Sequence, residues 1–230
     1  MKTTFKNFSV YGIAYLVLLA IVLGMLYALP KSELHLIMNA YHTPSEDTFF
    51  KYYSTMAEWP LYVLALLPVF WKQIQMTVLF ILSELTSGAL LQILKHLFSF
   101  ERPISFFEHH DHMLLPLVQG VDMHHSNSFP SGHASTFFVF FTCCALILAY
   151  HYQKNSSGLT LRKRYMVVLW MLVLFTMAAL GAYSRVYLSQ HFLSDVCVGS
   201  IIGFVTPCLY FFFARKWIIK LCNQIYHIQR

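Results

Sequence analysis

The chain has 230 residues, of which 57% are hydrophobic and only 11% charged. A water-soluble domain carries about 25% charged residues, so this composition excludes an ordinary soluble globular protein and selects the bilayer as solvent. The net charge of +6 gathers in no dense basic patch with interleaved aromatics, which excludes nucleic acid as a partner; the basic residues stand at the ends of apolar runs, as membrane topology dictates.

A hydrocarbon core about 30 Å thick needs about 20 apolar residues of helix to cross it. The first such run covers residues 10–29. Lys2 and Lys6 precede it, but it is longer than a secretory h-region and lacks a small-x-small cleavage site, so it reads as a retained span. A shorter run at 59–71 is interrupted by Pro68. Longer runs follow at 76–98, 133–150, 165–183 and 195–213. The expected fold is therefore all-α, a six-span transmembrane bundle with short extramembrane loops, forming a single membrane-embedded domain over residues 1–230. Six spans put Lys2, Lys6, Lys72, Lys154, Arg162, Lys163, Arg164, Arg215, Lys216, Lys220 and Arg230 on one side, which the positive-inside rule makes cytoplasmic along with both termini. Lys31, Lys51, Lys95, Arg102 and Arg185 fall on the outer side. Of the five cysteines, Cys143, Cys144, Cys197 and Cys208 lie within apolar runs and Cys222 in the C-terminal tail. Their spacing suggests neither a disulfide framework nor a zinc site, and they read as packing residues.

Between the first two runs, Thr43-Pro44-Ser45-Glu46 has the form of a helix start, with Thr43 as N-cap, Pro44 at the first helical position and Glu46 as the reciprocal capping acid. Phe49, Phe50, Tyr52 and Tyr53 suit a short helix lying in the outer interface, either a connector among head groups or a lip that admits a lipid sideways. Glu84 lies deep in the third run and shares a helical face with Gly88, Leu91 and Lys95. At about eleven residues from Lys95, roughly 16 Å along a helix, it is too far for a phosphate held there. An interior hydrogen-bonding role is expected, with a proton relay as the alternative. The loop 104–129 carries His109, His110, Asp111, His112, Asp122, His124 and His125. Such a cluster can bind zinc, but no helical or hairpin spacing organises it, so an outer-face lid is the expected role.

Three separated segments carry chemistry. Lys95 and, after six residues, Arg102-Pro103 stand at the outer end of the third run. Pro130-Ser131-Gly132-His133 opens the fourth run. Ser184-Arg185, five residues, His191, three residues and Asp195 join the fifth to the sixth. A loop separates the first two segments and two spans separate the second from the third, so all three share one face whatever happens at 59–71. Lys95, Arg102 and Arg185 supply cations, two with the guanidinium fork suited to phosphate oxygens. Ser131, Gly132 and His133 sit at a helix start, where free N–H groups favour an anion and glycine permits close backbone approach. Asp195, four residues after His191, shares its face on a helical turn. It can hold the imidazole in one tautomer while His133 protonates a leaving oxygen. Charged groups at membrane depth are expensive and usually functional, which argues against a purely structural role for the set. The outer face also carries Glu33, Glu46, Asp47, Glu58, Glu101, Glu108, Asp111 and Asp122, so the cations form a small island suited to a head group delivered by lateral diffusion.

These segments resemble the signature of the type 2 phosphatidic acid phosphatase superfamily, Lys-x6-Arg-Pro, Pro-Ser-Gly-His and Ser-Arg-x5-His-x3-Asp, in order and with unbroken spacing. The resemblance implies a lipid phosphatase working through a phosphohistidine at His191, oriented by Asp195, with His133 as general acid. It implies phosphate binding by Lys95, Arg102, Ser131, Gly132 and Arg185, and no metal or other cofactor. The compact form is similar to bacterial members, which implies an inner-membrane protein with its site facing the periplasm or exterior. The implied partners are the bilayer and a lipid phosphate: phosphatidic acid, phosphatidylglycerol phosphate, undecaprenyl diphosphate or lipid A phosphate. Two other readings compete. Soluble vanadate-dependent haloperoxidases resemble the family at the same site, but six spans and no soluble domain argue against halide oxidation. A transporter is the other, but it would place its site near the midplane on broken helices within repeats, whereas this charged set lies at one face.

Overall fold

The computed structural model of the chain describes residues 2–58, 74–111, 115–154, 161–218 and 220. These form α1 (Lys2–Ala28), α2 (Lys31–Met38), α3 (Pro44–Thr55), α4 (Ile74–Leu97), α5 (Pro103–Phe106), α6 (Gly132–Lys154), α7 (Leu161–Tyr187) and α8 (Leu193–Leu209). A π-helical turn, Phe107–Asp111, continues α5, and another, Tyr210–Ala214, follows Pro207 at the end of α8. There is no strand among the described residues. Five helices are long and apolar enough to cross a membrane: Lys6–Ala28, Met76–Leu97, Gly132–Tyr152, Leu161–Tyr187 and Leu193–Ile218. The expected span at 59–71 lies outside the described residues, so five of the six expected spans are seen.

The bundle is built around α6, the most buried of the five long helices, which packs chiefly against α7 and α8. The approach of α6 to α8 is set by two glycines one turn apart. A Cβ on Gly199 or Gly203 would collide with the carbonyl oxygens of Ser131 and Ser135. Lipid is as apolar as leucine, so small residues that let backbones approach, together with interhelical hydrogen bonds, do the work that burial does in water. Tyr11 and Thr142 make one such bond at 3.1 Å, and Thr86 and Tyr210 another at 2.7 Å. The outward surface is the inverse of a soluble protein's: Ile13, Leu16, Val17 and Ile21 on α1, Leu85 and Ile93 on α4, and Leu169 and Trp170 on α7 are exposed. Contiguous apolar exposure of this extent suits lipid, and the protein is an integral membrane protein.

The described cysteines, Cys143, Cys144, Cys197 and Cys208, are free thiols, buried or half-buried in the bundle. Glu84 accepts a hydrogen bond from the Thr136 hydroxyl at 3.0 Å, tying α4 to the first turn of α6. The start of α3 is capped by Thr43, whose hydroxyl accepts the Glu46 N–H at 3.3 Å and donates to Glu46 Oε2 at 2.6 Å. The return bond thus goes to the hydroxyl rather than to the Thr43 N–H that the capping-box reading anticipates. α3 does more than connect: Phe50 is buried against Tyr187 and Leu188, and Tyr53 donates to the carbonyl of Met177 at 2.8 Å. One end of α3 therefore lies on the C-terminal half of α7.

Candidate active site

The site lies where α4, α6, α7 and α8 have their ends together. The segment 126–128, just before Pro-Ser-Gly-His, is its hub. Lys95 donates to the carbonyl of Asn127 at 3.1 Å, and Arg102 Nε to the carbonyl of Ser126 at 3.0 Å. Ser128 N–H binds the carbonyl of Phe100 at 2.9 Å, so the loop that bears Arg102 is stitched to the start of α6. Asn127 takes φ 55°, the left-handed region that asparagine tolerates better than most residues; this turns its carbonyl to Lys95. Arg102 Nη1 is held by both the carbonyl and Oε1 of Gln190, each at 3.1 Å. Gln190 in turn donates from Nε2 to the carbonyl of Asp122 at 2.9 Å.

Ser131 immediately precedes α6, and its hydroxyl accepts the Ala134 N–H at 3.4 Å, as an N-cap does. Its own N–H binds the carbonyl of Asp195 at 3.0 Å, which joins the second motif segment directly to the third. Gly132 has open space where a Cβ would stand, consistent with a backbone that a ligand can approach closely. Arg185 is almost fully buried near the end of α7; its Nη1 donates to the Ser54 hydroxyl of α3, while its Nε has no partner among the described residues. A cavity of about 330 Å³ opens beside it, with His133, Ser54, Glu58, Asp122 and His124 among its walls. The expected lid loop thus contributes Asp122 and His124 to the cavity wall, while His109 and His110 lie against Glu101 instead. Among the described residues no three His, Cys, Asp or Glu side chains converge in a way that could hold a metal ion; His112 lies outside them.

His191 is 2% exposed and does not lie on the helix with Asp195. It stands one residue before Phe192, the N-cap of α8, in a turn where Ser189 has φ 51° and the N–H groups of Gln190 and His191 both bind the carbonyl of Arg185. Asp195, three residues after the cap, uses its carboxylate to accept the Phe192 N–H at 3.1 Å, which holds the turn against the helix. His191 Nδ1 is 3.7 Å from Asp195 Oδ2, so the four-residue spacing brings the pair together through a capped turn rather than along a helical face. Ser128 lies between them. Its hydroxyl donates to Asp195 Oδ2 at 2.5 Å and is 3.5 Å from His191 Nδ1. Burial pushes the His191 imidazole below its ordinary value; the Asp195 carboxylate opposes this, while Arg102 and Arg185 push the same way as burial. At neutral pH the ring is therefore uncharged and one nitrogen keeps its lone pair.

All eight residues expected to form the site thus lie in segments joined by direct hydrogen bonds or around one cavity. Sequence reasoning missed Ser54, Ser128 and Gln190, which hold Arg185, Asp195 and Arg102 in turn. Ser128 lies only two residues before Pro130, but a lone serine outside a motif gives no sign of where its hydroxyl points.

A helical membrane bundle with a buried, polar, cation-lined site at the ends of its helices defines a class of membrane-embedded protein. The profile of the PAP2 superfamily matches residues 76–219, more than half of the chain, and the protein belongs to that superfamily. Two solved structures share the fold. The crystal structure of Aquifex aeolicus LpxE aligns with a TM-score of 0.55 at 24% identity, covering 77% of this chain and 92% of that one. That of the transmembrane PAP2-type phosphatidylglycerolphosphate phosphatase from Bacillus subtilis aligns with a TM-score of 0.56 at 21% identity, covering 94% of this chain and 98% of that one. The sequence has no significant match among curated proteins.

Proposed function

We propose that this protein is an integral-membrane lipid phosphatase that hydrolyses a phosphate monoester or diphosphate through a phosphohistidine at His191, without a metal ion. The observation that carries the reading is the joining of three motif segments, far apart in the chain: Ser131 N–H to Asp195 O links the second to the third, Arg102 Nη1 to Gln190 O links the first to the third, and Lys95 and Arg102 are anchored to the carbonyls just before Ser131. Phosphoryl transfer asks a protein mainly for positioning and charge stabilisation. Lys95, Arg102, Arg185, the Ser131 hydroxyl and the Gly132 N–H would bind the phosphate oxygens. The free imidazole nitrogen of His191 attacks phosphorus, forming a P–N bond as the P–O bond to the lipid breaks. His133 gives its proton to the departing oxygen. Water then attacks phosphorus and the P–N bond breaks; the water's proton returns to His133, and inorganic phosphate leaves.

Several features favour a lipid over a soluble ester. The catalytic groups lie at the ends of membrane-length helices, and a substrate diffusing in the bilayer meets them without long-range steering. The positive-inside distribution supports an outer-face site in an inner membrane, with both termini cytoplasmic. Phosphatidylglycerol phosphate, named for the Bacillus neighbour, is one candidate; phosphatidic acid, undecaprenyl diphosphate and lipid A phosphate are the others. The test is phosphate release by the purified protein from each of the four lipids, with and without chelator. Release that survives chelator and vanishes in His191→Ala is the expected result. Release that chelator abolishes, or that His191→Ala retains, refutes the mechanism. Lipid movement in proteoliposomes without phosphate release would favour a transporter instead.

A further inference from the structure

The carboxylate of Asp195 accepts three hydrogen bonds from groups other than His191. Oδ2 accepts the Phe192 N–H at 3.1 Å and the Ser128 hydroxyl at 2.5 Å, and Oδ1 accepts the Ser194 hydroxyl at 3.2 Å. Its Oδ2 stands 3.7 Å from His191 Nδ1, farther than the Ser128 hydroxyl at 3.5 Å. A hydroxyl has one proton and two lone pairs. The proton of Ser128 is spent on Asp195, so what it turns to Nδ1, 3.5 Å away, is an acceptor. Ser128 is fully buried, and its N–H is fixed to the carbonyl of Phe100, so the hydroxyl has little freedom to move.

We infer that Ser128 is a positioning residue that links the nucleophile to its carboxylate, in the order His191 Nδ1–H, Ser128 Oγ–H, Asp195 Oδ2. The inference rests on the phosphohistidine reading and extends it. With Nδ1 bearing the proton and facing Ser128, the lone pair is confined to Nε2, the nitrogen that must face phosphorus. As the P–N bond forms, positive charge grows on the ring; the hydroxyl, polarised by the carboxylate, stabilises that charge through Nδ1–H. No proton need change owner, so the chain acts on orientation and charge alone. Phosphate binding by Lys95, Arg102 and Arg185 does not pass through Ser128, so the contribution should appear in turnover rather than in affinity.

The test compares wild type, Ser128→Ala, Asp195→Asn and the double variant of the full chain in detergent micelles. Phosphatidylglycerol phosphate and phosphatidic acid serve as probes, and folding is checked by melting temperature. A hydrogen bond to a charged group is worth roughly ten- to a hundredfold, so Ser128→Ala should lower kcat by that factor with KM changed less than about threefold. Because residues acting as a unit are non-additive, the double variant should be no slower than Asp195→Asn alone. Should Ser128→Ala fail to fold, Ser128→Cys, close in volume and a weaker donor, should turn over between the wild type and Asp195→Asn. An active wild type with undiminished kcat in the folded serine variant overturns the link alone. So does a double variant slower than Asp195→Asn by the full single-variant factor, because the serine would then act elsewhere. A wild type inert on both probes and on the other two lipids removes the phosphatase reading and the link with it.

Discussion

Gly199→Ala tests whether the spacing of two helices sets the activity. The added methyl would collide with the carbonyl oxygen of Ser131 and lie 3.3 Å from the Ala134 Cβ. Neither obstacle is the flexible end of a side chain. The carbonyl belongs to the residue that opens α6, so α8 and the start of α6 must part by roughly an ångström. Overpacking of this kind costs about 1–3 kcal/mol, which the bundle should survive. The site is more sensitive, because the displaced residue is the one whose N–H holds Asp195 O at 3.0 Å. Misplacing reacting groups by about 1 Å costs on the order of a hundredfold in rate. The expected outcome is a folded protein with a modestly lowered melting temperature and kcat reduced about a hundredfold on a lipid phosphate. Gly88→Ala is the control, since nothing stands within 4 Å of a Cβ there, and should leave both unchanged. Phosphate release and melting in detergent measure the two quantities on the same preparation. A folded Gly199→Ala protein with wild-type kcat would refute the claim that this contact sets the site geometry.

Three further outcomes are expected. His133→Ala should hurt turnover of lipid esters far more than that of an activated aryl phosphate, because an acid matters least when the leaving oxygen is already stable; equal losses would count against the general-acid role. Glu84→Gln keeps an acceptor for the Thr136 hydroxyl and should retain activity, whereas inactivity with normal folding would indicate a proton relay. His35, buried beside Ser189 with Nε2 3.3 Å from its hydroxyl, is held by burial at a pKa of about 4 against an ordinary 6.5. Between those values the unfolded chain binds a proton that the folded one refuses, so stability falls as pH drops from about 6.5 towards 4, by an amount on the order of 2–3 kcal/mol for this group. Melting temperature against pH should therefore decline less steeply in His35→Gln, and an unchanged slope would exclude His35 as a source.

Much of this protein could be read without its fold. Hydrophobic runs long enough to cross a bilayer appear directly in composition, because lipid requires every spanning backbone to satisfy its hydrogen bonds internally and so leaves helices with apolar surfaces. Five of those runs are helices in the structure, with ends shifted in either direction; α7 runs over Leu161–Tyr187 rather than 165–183, whereas α8 runs over Leu193–Leu209 and stops short of the expected end at 213. The gathering of Lys95, Arg102, Ser131, His133, Arg185 and His191 at one end also follows from the chain alone, since an even number of crossings returns a segment to the same face. Tertiary structure decided what holds these groups once gathered. That His191 occupies a capped turn rather than a helix, that Ser54 and Gln190 steady the two guanidinium groups, and that Ser128 stands between imidazole and carboxylate depend on short contacts between residues as many as 131 positions apart. Spacing along a chain fixes which face of a membrane a residue occupies; hydrogen bonds are short and directional, and only the packing of α3 on α7 and of α6 on α8 sets those lengths.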